Sequence, residues 1–441
     1  MSVVLKARKL ILTGSTASTS KSLAHTLLIE NGFITPSSKG LYSLLPLGQR
    51  VIDKLCRILD VEFQKIGAQK VSMPIIGTKQ LWDRTKRWDA MGAEMMTFED
   101  RSKNALCLQP TAEEMCTDLV ANLSSLKKSM FPLMLYQINE KFRDEMNPRF
   151  GLMRSRQFLM KDMYTFDMDS NSAQKTYSNI CRVYDRIFKN ILELDVIKVE
   201  ADSGVHGGQI SHEYHLRSNL EEDFVDVCKT CDTFTKSSSC QCEIPNSKKS
   251  EFERINTVEV GHTFHLGTKY SKEIGAKFPN SGPLDMCCFG IGVSRLLPAV
   301  IDALTISKEA IRLPRAIAPI EAVVIVKKSL MTNVLVEVTT STATRYLKGG
   351  VMLDDRSEIS VGKRIRDANR LGIPFIIVLA NSTERSMVSG QPLIEVFSTQ
   401  PKSDEVIPHG TLSLEQFVTF IQNTEANPVL SKFPDFQQAS N

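Results

Sequence analysis

The sequence predicts an α/β protein in two parts, and three observations carry the prediction. Apolar residues at Val51, Leu55, Leu59, Phe63 and Ile66 recur at helical spacing, stop at Gly67, and feed a strand-like segment, Val71–Ile76. Tyr136 to Phe166 reads as two strands joined by a polar, arginine-rich loop. After about Pro319, short apolar strands at Ala322–Val326, Gly350–Leu353 and Pro374–Leu379 alternate with helical segments and mark a separate C-terminal α/β domain.

Composition bounds the remaining choices. The chain has 441 residues, 42% hydrophobic and 24% charged, enough apolar content for globular cores. No stretch approaches the roughly 18 to 20 apolar residues of a membrane span, so no membrane association is expected. A net charge of +4 is compatible with a polyanionic partner and decides nothing alone.

Taken in order, the first 29 residues hold no acid and set Lys6, Arg8, Lys9 and Lys21 among Ser and Thr. That composition is expected of a mitochondrial transit peptide over residues 1–30, which would send the protein to the mitochondrial matrix. The helix from Gly48 to Ile66 follows, and Pro74, lacking a donor, belongs at a sheet edge, bulge or subunit boundary. Gln109–Glu114 is a proline turn opening the helix Met115–Val120. Met286 to Ile301 reads as a strand turning through glycines into a helix. Ser413-Leu414-Glu415-Gln416 has capping-box spacing and opens a last helix, after which the tail, residues 426–441, is polar and expected to be loose.

Chemistry concentrates in three of these stretches. Arg143, Arg149, Arg154 and Arg156 crowd one loop, and guanidinium forks match phosphate oxygens. Phe158 offers a flat face for a base. Gly290 and Gly292 precede Arg295 at a helix start, where backbone and helix N-terminus favour phosphate. Glu113 is a candidate partner for a substrate ammonium. Taken singly, each has a plain alternative: a solvated arginine loop, a tight turn, a helix cap.

The order and joint occurrence of the pieces resemble the class II aminoacyl-tRNA synthetases, and within them the bacterial-type and mitochondrial prolyl-tRNA synthetases, over about Lys39 to Thr424. The helix with Pro74 looks like motif 1, Phe142-Arg143-Asp144-Glu145 through Phe158 like motif 2, and Gly290–Arg295 like motif 3. Further matching strings are Pro110–Glu113, Pro148–Leu152, Lys161–Tyr164, Ser211–Tyr214 and Val260–Ser271.

The resemblance implies a catalytic domain at 31–315 with a mixed, mainly antiparallel sheet flanked by helices, and an anticodon-binding α/β domain at 319–425. It implies activation of L-proline with ATP and Mg2+ to prolyl-adenylate, then transfer to tRNA(Pro), by a homodimer. Thr111 and Glu113 would hold the proline nitrogen, with Tyr164, Glu213 and His262 in the same subsite. Arg143 would grip the carboxylate and α-phosphate, Glu145 and Phe158 the adenine, Arg295 the far phosphate, with Arg149, Arg154 and Glu259 alongside. Arg143 and Arg295 are the expected catalytic residues, and Lys363, Arg364 and Arg366 the cations offered to the anticodon stem.

Two departures and two rivals stand beside this. Gln157 occupies a position where the family often has glutamate, and Phe166 to Met286 is too short for the editing insertion of bacterial relatives, so no proofreading is expected in this chain. The rivals are a non-catalytic nucleic-acid-binding protein on a synthetase fold and a class II synthetase for another amino acid. Cys228, Cys231, Cys240 and Cys242 offer four thiolates to a structural zinc, but the C-x-C spacing of the second pair leaves four reduced thiols as the plain alternative.

Overall fold

The computed structural model describes residues 5–12, 20–123, 126–202, 204, 210–236, 251–279 and 281–424. By packing, these fall into two units, one from Ser38–Tyr42 and Leu55–Ala299, the other from Met1–Ser37, Ser43–Lys54 and Val300–Asn441. This division differs from a single boundary between 315 and 319. The reason is polar: Arg50 Nε donates to the Pro319 carbonyl at 2.8 Å, Lys54 Nζ to that of Gly349 at 2.6 Å, and Ile311 N to that of Arg370 at 2.9 Å.

The first unit is built on one sheet. Its strands run in the order Val196–Glu200, Ile210–Arg217, Phe252–Gly267, Asp285–Gly292, Gln157–Asp167, Leu133–Phe142 and Gln69–Lys70. All neighbours pair antiparallel except the last, which is parallel, giving the mixed, mainly antiparallel sheet expected. The helix Ser170–Asp185, capped by the Asp169 side chain on Ser172 N, buries Ala173, Tyr177, Ile180 and Tyr184. Tyr184 packs at 5.0 Å on Tyr214 and its hydroxyl donates to the Gly290 carbonyl at 3.1 Å, fixing the helix on the sheet.

The helix of the motif 1 region spans Pro46–Gln64, as the spacing predicts. The strand expected at Val71–Ile76 is shorter than anticipated: regular pairing covers only Gln69–Lys70 and Ile76–Thr78. Proline is the cause, because Pro74 supplies no ladder donor. Side-chain amides take over: Gln137 Oε1 accepts from Met73 N at 3.3 Å, Asn139 Nδ2 donates to the Met73 carbonyl at 3.0 Å, and Gln109 Nε2 to that of Pro74 at 2.8 Å.

The second unit has a six-stranded sheet in the order Leu5–Lys6, Val351–Asp354, Ala322–Val326, Phe375–Leu379, Leu393–Ser398 and Ile407–Ser413. The first three pairings are parallel and the last two antiparallel. Val324, Val326, Ile377, Ile394 and Phe417 lie in its apolar core. The capping box forms as its spacing predicts: Ser413 Oγ accepts from Gln416 N at 3.2 Å and Gln416 Oε1 from Ser413 N at 2.9 Å.

The segment expected to be a leader is partly built into this unit. Leu5 and Lys6 pair with Met352 and Leu353, Arg8 N donates to Asp355 Oδ1 at 3.1 Å, and the helix Leu23–Glu30 buries Ala24, Leu27, Leu28 and Ile29. Residues 1–4, 13–19 and the tail 425–441 lie outside the described residues. No described helix is long and apolar enough to cross a membrane.

Candidate active site

The first unit encloses a cavity of about 270 Å³ over the face of its sheet. Motif 2 forms one wall. The strands Leu133–Phe142 and Gln157–Asp167 pair in register down to Phe142 opposite Gln157, and the chain between them turns back through Phe150 and Gly151, both in left-handed conformation at φ 58° and 66°. A phenylalanine there is strained backbone, of the kind that persists at sites the surroundings over-determine. The turn closes with Arg149 N on the Arg154 carbonyl at 3.3 Å, and tucks Leu152 and Met153 inward against the cavity.

Motif 3 continues the same surface. The strand Asp285–Gly292 runs beside Gln157–Asp167 and passes directly into the helix Val293–Leu304. Ser294 Oγ accepts from Leu159 N at 2.8 Å, which locks the helix start to motif 2. Gly290 lines the cavity, and a Cβ there would meet nothing nearer than 3.9 Å, so the space it would take belongs to the cavity.

Cations form part of the lining, supplied by Arg143 and Arg295. Burial, and then the charge of Arg295, pull the Arg143 guanidinium below its ordinary value, with Glu259, Glu94 and Glu145 opposing. The Arg143 guanidinium lies 5.4 Å from the centre of the Phe158 ring, so a cation and an aromatic face adjoin. Arg295 is held by Nε on the Met153 carbonyl at 2.8 Å and Nη1 on that of Glu259 at 3.1 Å. Arg154 Nε donates to Glu145 Oε2 at 2.9 Å.

Carboxylates line the cavity as well. Glu113 is fully buried, with Thr111 Oγ1 donating to its Oε2 at 2.7 Å and Cys288 Sγ to its Oε1 at 3.3 Å. Burial, reinforced by Glu113, lifts the Cys288 thiol well above its ordinary range, so it stays protonated and donates. Asp162 is the second carboxylate: its Oδ1 takes Lys141 Nζ at 3.0 Å and its Oδ2 takes Gln137 Nε2 at 2.9 Å and Tyr164 Oη at 3.0 Å. Burial pushes the Glu259 carboxyl up, but the hydrogen bond and charge of His262, with Arg295 and His215, outweigh it and hold the group at about 2. His262 bridges Glu259 Oε1 at 3.1 Å and Ser211 Oγ at 2.6 Å and stacks on Phe264 at 3.9 Å.

Of the residues named from the sequence, Thr111, Glu113, Arg143, Glu145, Arg154, Phe158, Glu259, His262 and Arg295 line the cavity together. Tyr164 lies behind it, donating to Asp162 and accepting from Ala112 N at 2.9 Å. Arg149 and Glu213 are not among the lining residues: Arg149 pairs with Glu222 at 2.8 Å, and Glu213 is taken by His215 Nε2 at 2.7 Å and Lys236 at 3.2 Å. In the second unit Lys363 and Arg366 are exposed, but Arg364, expected to offer its charge beside them, is not. That side chain is 1% exposed and turns inward to the carbonyls of Asp354 and Val326, at the ends of their strands, at 3.1 and 2.8 Å. Cys228 is buried and Cys231 exposed, while Cys240 and Cys242 lie outside the described residues.

Sequence reasoning missed Asp162, Cys288 and Phe264 as cavity residues, and Arg87 behind Glu113. Asp162 sits inside the string Lys161–Tyr164, where nothing along the chain marks which of the four faces the cavity. Arg87 carried no signal, since Lys86-Arg87-Trp88 belongs to no motif and its carboxylate partners are 26 and 27 positions away.

Comparison with known proteins agrees with this geometry. The pattern described as tRNA synthetase class II core domain (G, H, P, S and T) matches residues 96–304, and that described as anticodon binding domain matches residues 321–424. A Rattus norvegicus protein named probable proline–tRNA ligase, mitochondrial, is 41% identical over 365 residues, 80% of this chain and 76% of the relative. An Ehrlichia canis protein named proline–tRNA ligase is 35% identical over 418 residues, 90% of this chain and 94% of the relative. Among solved structures, Giardia lamblia prolyl-tRNA synthetase in complex with prolyl-adenylate shares the fold at TM-score 0.70 and 16% identity, over 93% of this chain and 82% of that one.

Proposed function

Because the chain belongs to the class II prolyl-tRNA synthetases, we propose that its cavity receives proline at Glu113 and ATP along Arg143 and Arg295. The protein is an aminoacyl-tRNA ligase that activates L-proline with ATP to prolyl-adenylate and transfers the prolyl group to tRNA(Pro). The observation that carries the assignment of roles is the company kept in one cavity: a buried carboxylate, two guanidiniums and an aromatic face line it together.

The ammonium of proline meets Glu113 and Thr111, which leaves its carboxylate directed at the arginines. That carboxylate attacks the α-phosphate in line and pyrophosphate leaves, with no covalent enzyme intermediate. Arg143 offers donors to the attacked phosphate and Arg295 to the outer ones, so charge developing on the phosphates is met by fixed cations rather than reorganising water. Phe158 supplies the stacking face for adenine. The ionised Glu259 carboxylate is a hard oxygen donor of the type magnesium takes, and magnesium bound with ATP would supply further neutralisation of phosphate charge.

Transfer RNA is the macromolecular partner. In the second unit a cavity of about 470 Å³, lined by Lys327, Lys328, Ser360 and Asn381, lies at the start of the helix that carries Lys363 and Arg366, and these cations would meet backbone phosphates. The protein acts as a homodimer through the segment after Pro74, where Ile75 and Ile76 are 37% and 43% exposed; sedimentation of the purified chain tests this. Its place is the mitochondrion, as for the named mammalian relative, and the acid-free N-terminal stretch supports import to the matrix. Zinc at Cys228, Cys231, Cys240 and Cys242 rests on spacing alone, and metal analysis of the purified chain decides it.

The deciding experiment is ATP–pyrophosphate exchange on the purified protein with each amino acid in turn. Exchange specific to proline that collapses in Arg143→Ala upholds the reading. Exchange with another amino acid, or none in a folded protein that binds tRNA, overturns it.

A further inference from the structure

The carboxylate expected to hold the substrate nitrogen does not stand alone. Arg87, in the short helix Arg87–Ala90, places Nη1 at 3.0 Å from Glu113 Oε2 and at 3.0 Å from both oxygens of Glu114. All three side chains are buried, at 2%, 0% and 1% exposure. Thr85 Oγ1 adds a hydrogen bond to Glu114 Oε1 at 2.7 Å. Glu113 lines the cavity; neither Glu114 nor Arg87 does.

The guanidinium is fixed by more than its partners. Its centre lies 5.2 Å from the Trp82 ring and 5.4 Å from the Tyr270 ring, while Nε and Nη2 have no hydrogen-bond partner among the described residues. Two aromatic rings therefore flank the group, and its hydrogen bonding is devoted to the two carboxylates through one nitrogen.

Two adjacent buried carboxylates thus share one guanidinium, and burying a charge is costly unless it is paired. Other titratable groups surround the pair. Asp162 is already paired with Lys141 at 3.0 Å. Burial raises Tyr164, Tyr270, Cys116 and Cys288, which keeps them neutral. Lys269, its ammonium 5.5 Å from the centre of the Tyr270 ring, is a second cation near the carboxylates: burial and then Arg87 lower it, while Glu114 and Glu113 oppose the effect. Burial also raises the Glu114 carboxyl, with Arg87 opposing the effect and Glu113 adding to it.

We infer that Arg87 is the positioning residue of the amino-acid subsite, holding Glu113 charged and aimed into the cavity to receive a cationic nitrogen. Without Arg87, two adjacent carboxylates share one proton between them, and Glu113 loses both a charge partner and the hydrogen bond that aims it. The inference rests on the proline reading of the cavity.

The test measures KM and kcat/KM for proline and KM for ATP in pyrophosphate exchange between pH 5 and 9, in the wild type, Arg87→Met, Arg87→Lys and Glu114→Gln. Arg87→Met raises KM for proline by about tenfold or more at pH 6.5 while KM for ATP stays within about twofold. The increase shrinks toward pH 9, because a carboxyl whose pKa has risen regains its charge there. Arg87→Lys keeps the charge but loses the planar fork, so it gives a smaller rise in KM that varies less with pH. An unchanged KM for proline, or a rise in both KM values independent of pH, overturns the inference. Where Arg87→Met fails to fold, Glu114→Gln decides: with Arg87 left to Glu113 alone, the acidic limb of kcat/KM for proline moves to lower pH, and no movement or the opposite one overturns the proposal. A wild type without proline-dependent exchange sinks the functional reading instead.

Discussion

Arg295 Nε donates to the main-chain oxygen of Met153 at 2.8 Å, so the arginine at the end of motif 3 is aimed by the backbone of the motif 2 turn. A second bond, from Nη1 to the Glu259 carbonyl at 3.1 Å, anchors it to a third strand. The guanidinium is thus oriented before any phosphate arrives, which is the arrangement that lowers reorganisation cost in phosphoryl chemistry.

Arg295→Lys keeps one positive charge and loses the planar fork, so it cannot satisfy both carbonyls and still face a phosphate. The expected outcome is a loss in kcat for exchange of about 10²-fold with KM for proline nearly unchanged. Steady-state exchange kinetics check it, and a rise confined to KM for proline would contradict the role.

Gly290 lines the cavity, and a methyl group placed on its Cα would have no neighbour closer than 3.9 Å, so Gly290→Ala adds its carbon to ligand space rather than to packed protein. Exchange activity should fall by about tenfold or more, chiefly through KM, while the melting temperature stays within about 2 °C. Thermal denaturation and exchange kinetics on the same preparation separate the two effects.

Burial raises the Asp167 carboxyl to about 6, against the hydrogen bond from Thr176 and with Asp285 and Asp169 adding to the rise. The folded state therefore binds a proton more tightly than the unfolded state does. Its contribution to stability is complete below the unfolded value near 4 and is lost as pH rises through about 6. Asp167→Asn, which never charges, is expected to raise the melting temperature by a few degrees at pH 7.5 and to give no gain at pH 4.5. A gain of equal size at both pH values would refute the linkage.

Lys54 is 2% exposed and donates to the Gly349 carbonyl at 2.6 Å and to that of Ala318. Burial, then the charge of Arg50, lower its ammonium to about 7, with Glu321 opposing. Lys54→Met leaves those carbonyls without this donor, at a cost of about 2 to 3 kcal/mol. Urea denaturation read by a probe in the second unit, such as a reporter on Tyr346, checks it; a change below about 0.5 kcal/mol would contradict the assigned role.

Sequence alone determined what depends on neighbours along the chain. The helix Pro46–Gln64, the paired strands around the arginine loop, the strand-to-helix turn at Gly292 and the capping box at Ser413 all follow from periodicity, glycine placement and spacing of a few residues. Most of the cavity was legible too, but only through the resemblance carried by the order and joint occurrence of the pieces, since each taken singly had a plain structural alternative. Tertiary structure decided what depends on residues brought together from far apart. Arg87 meets carboxylates 26 and 27 positions away, Cys288 meets Glu113 across 175, and Arg364 turns inward because the strand ends at Val326 and Asp354 present carbonyls within reach of its guanidinium. Such pairings follow from burial: once the fold removes water, a polar group left without a partner is costly, and the partner it takes is chosen by proximity in space, which spacing along the chain does not encode.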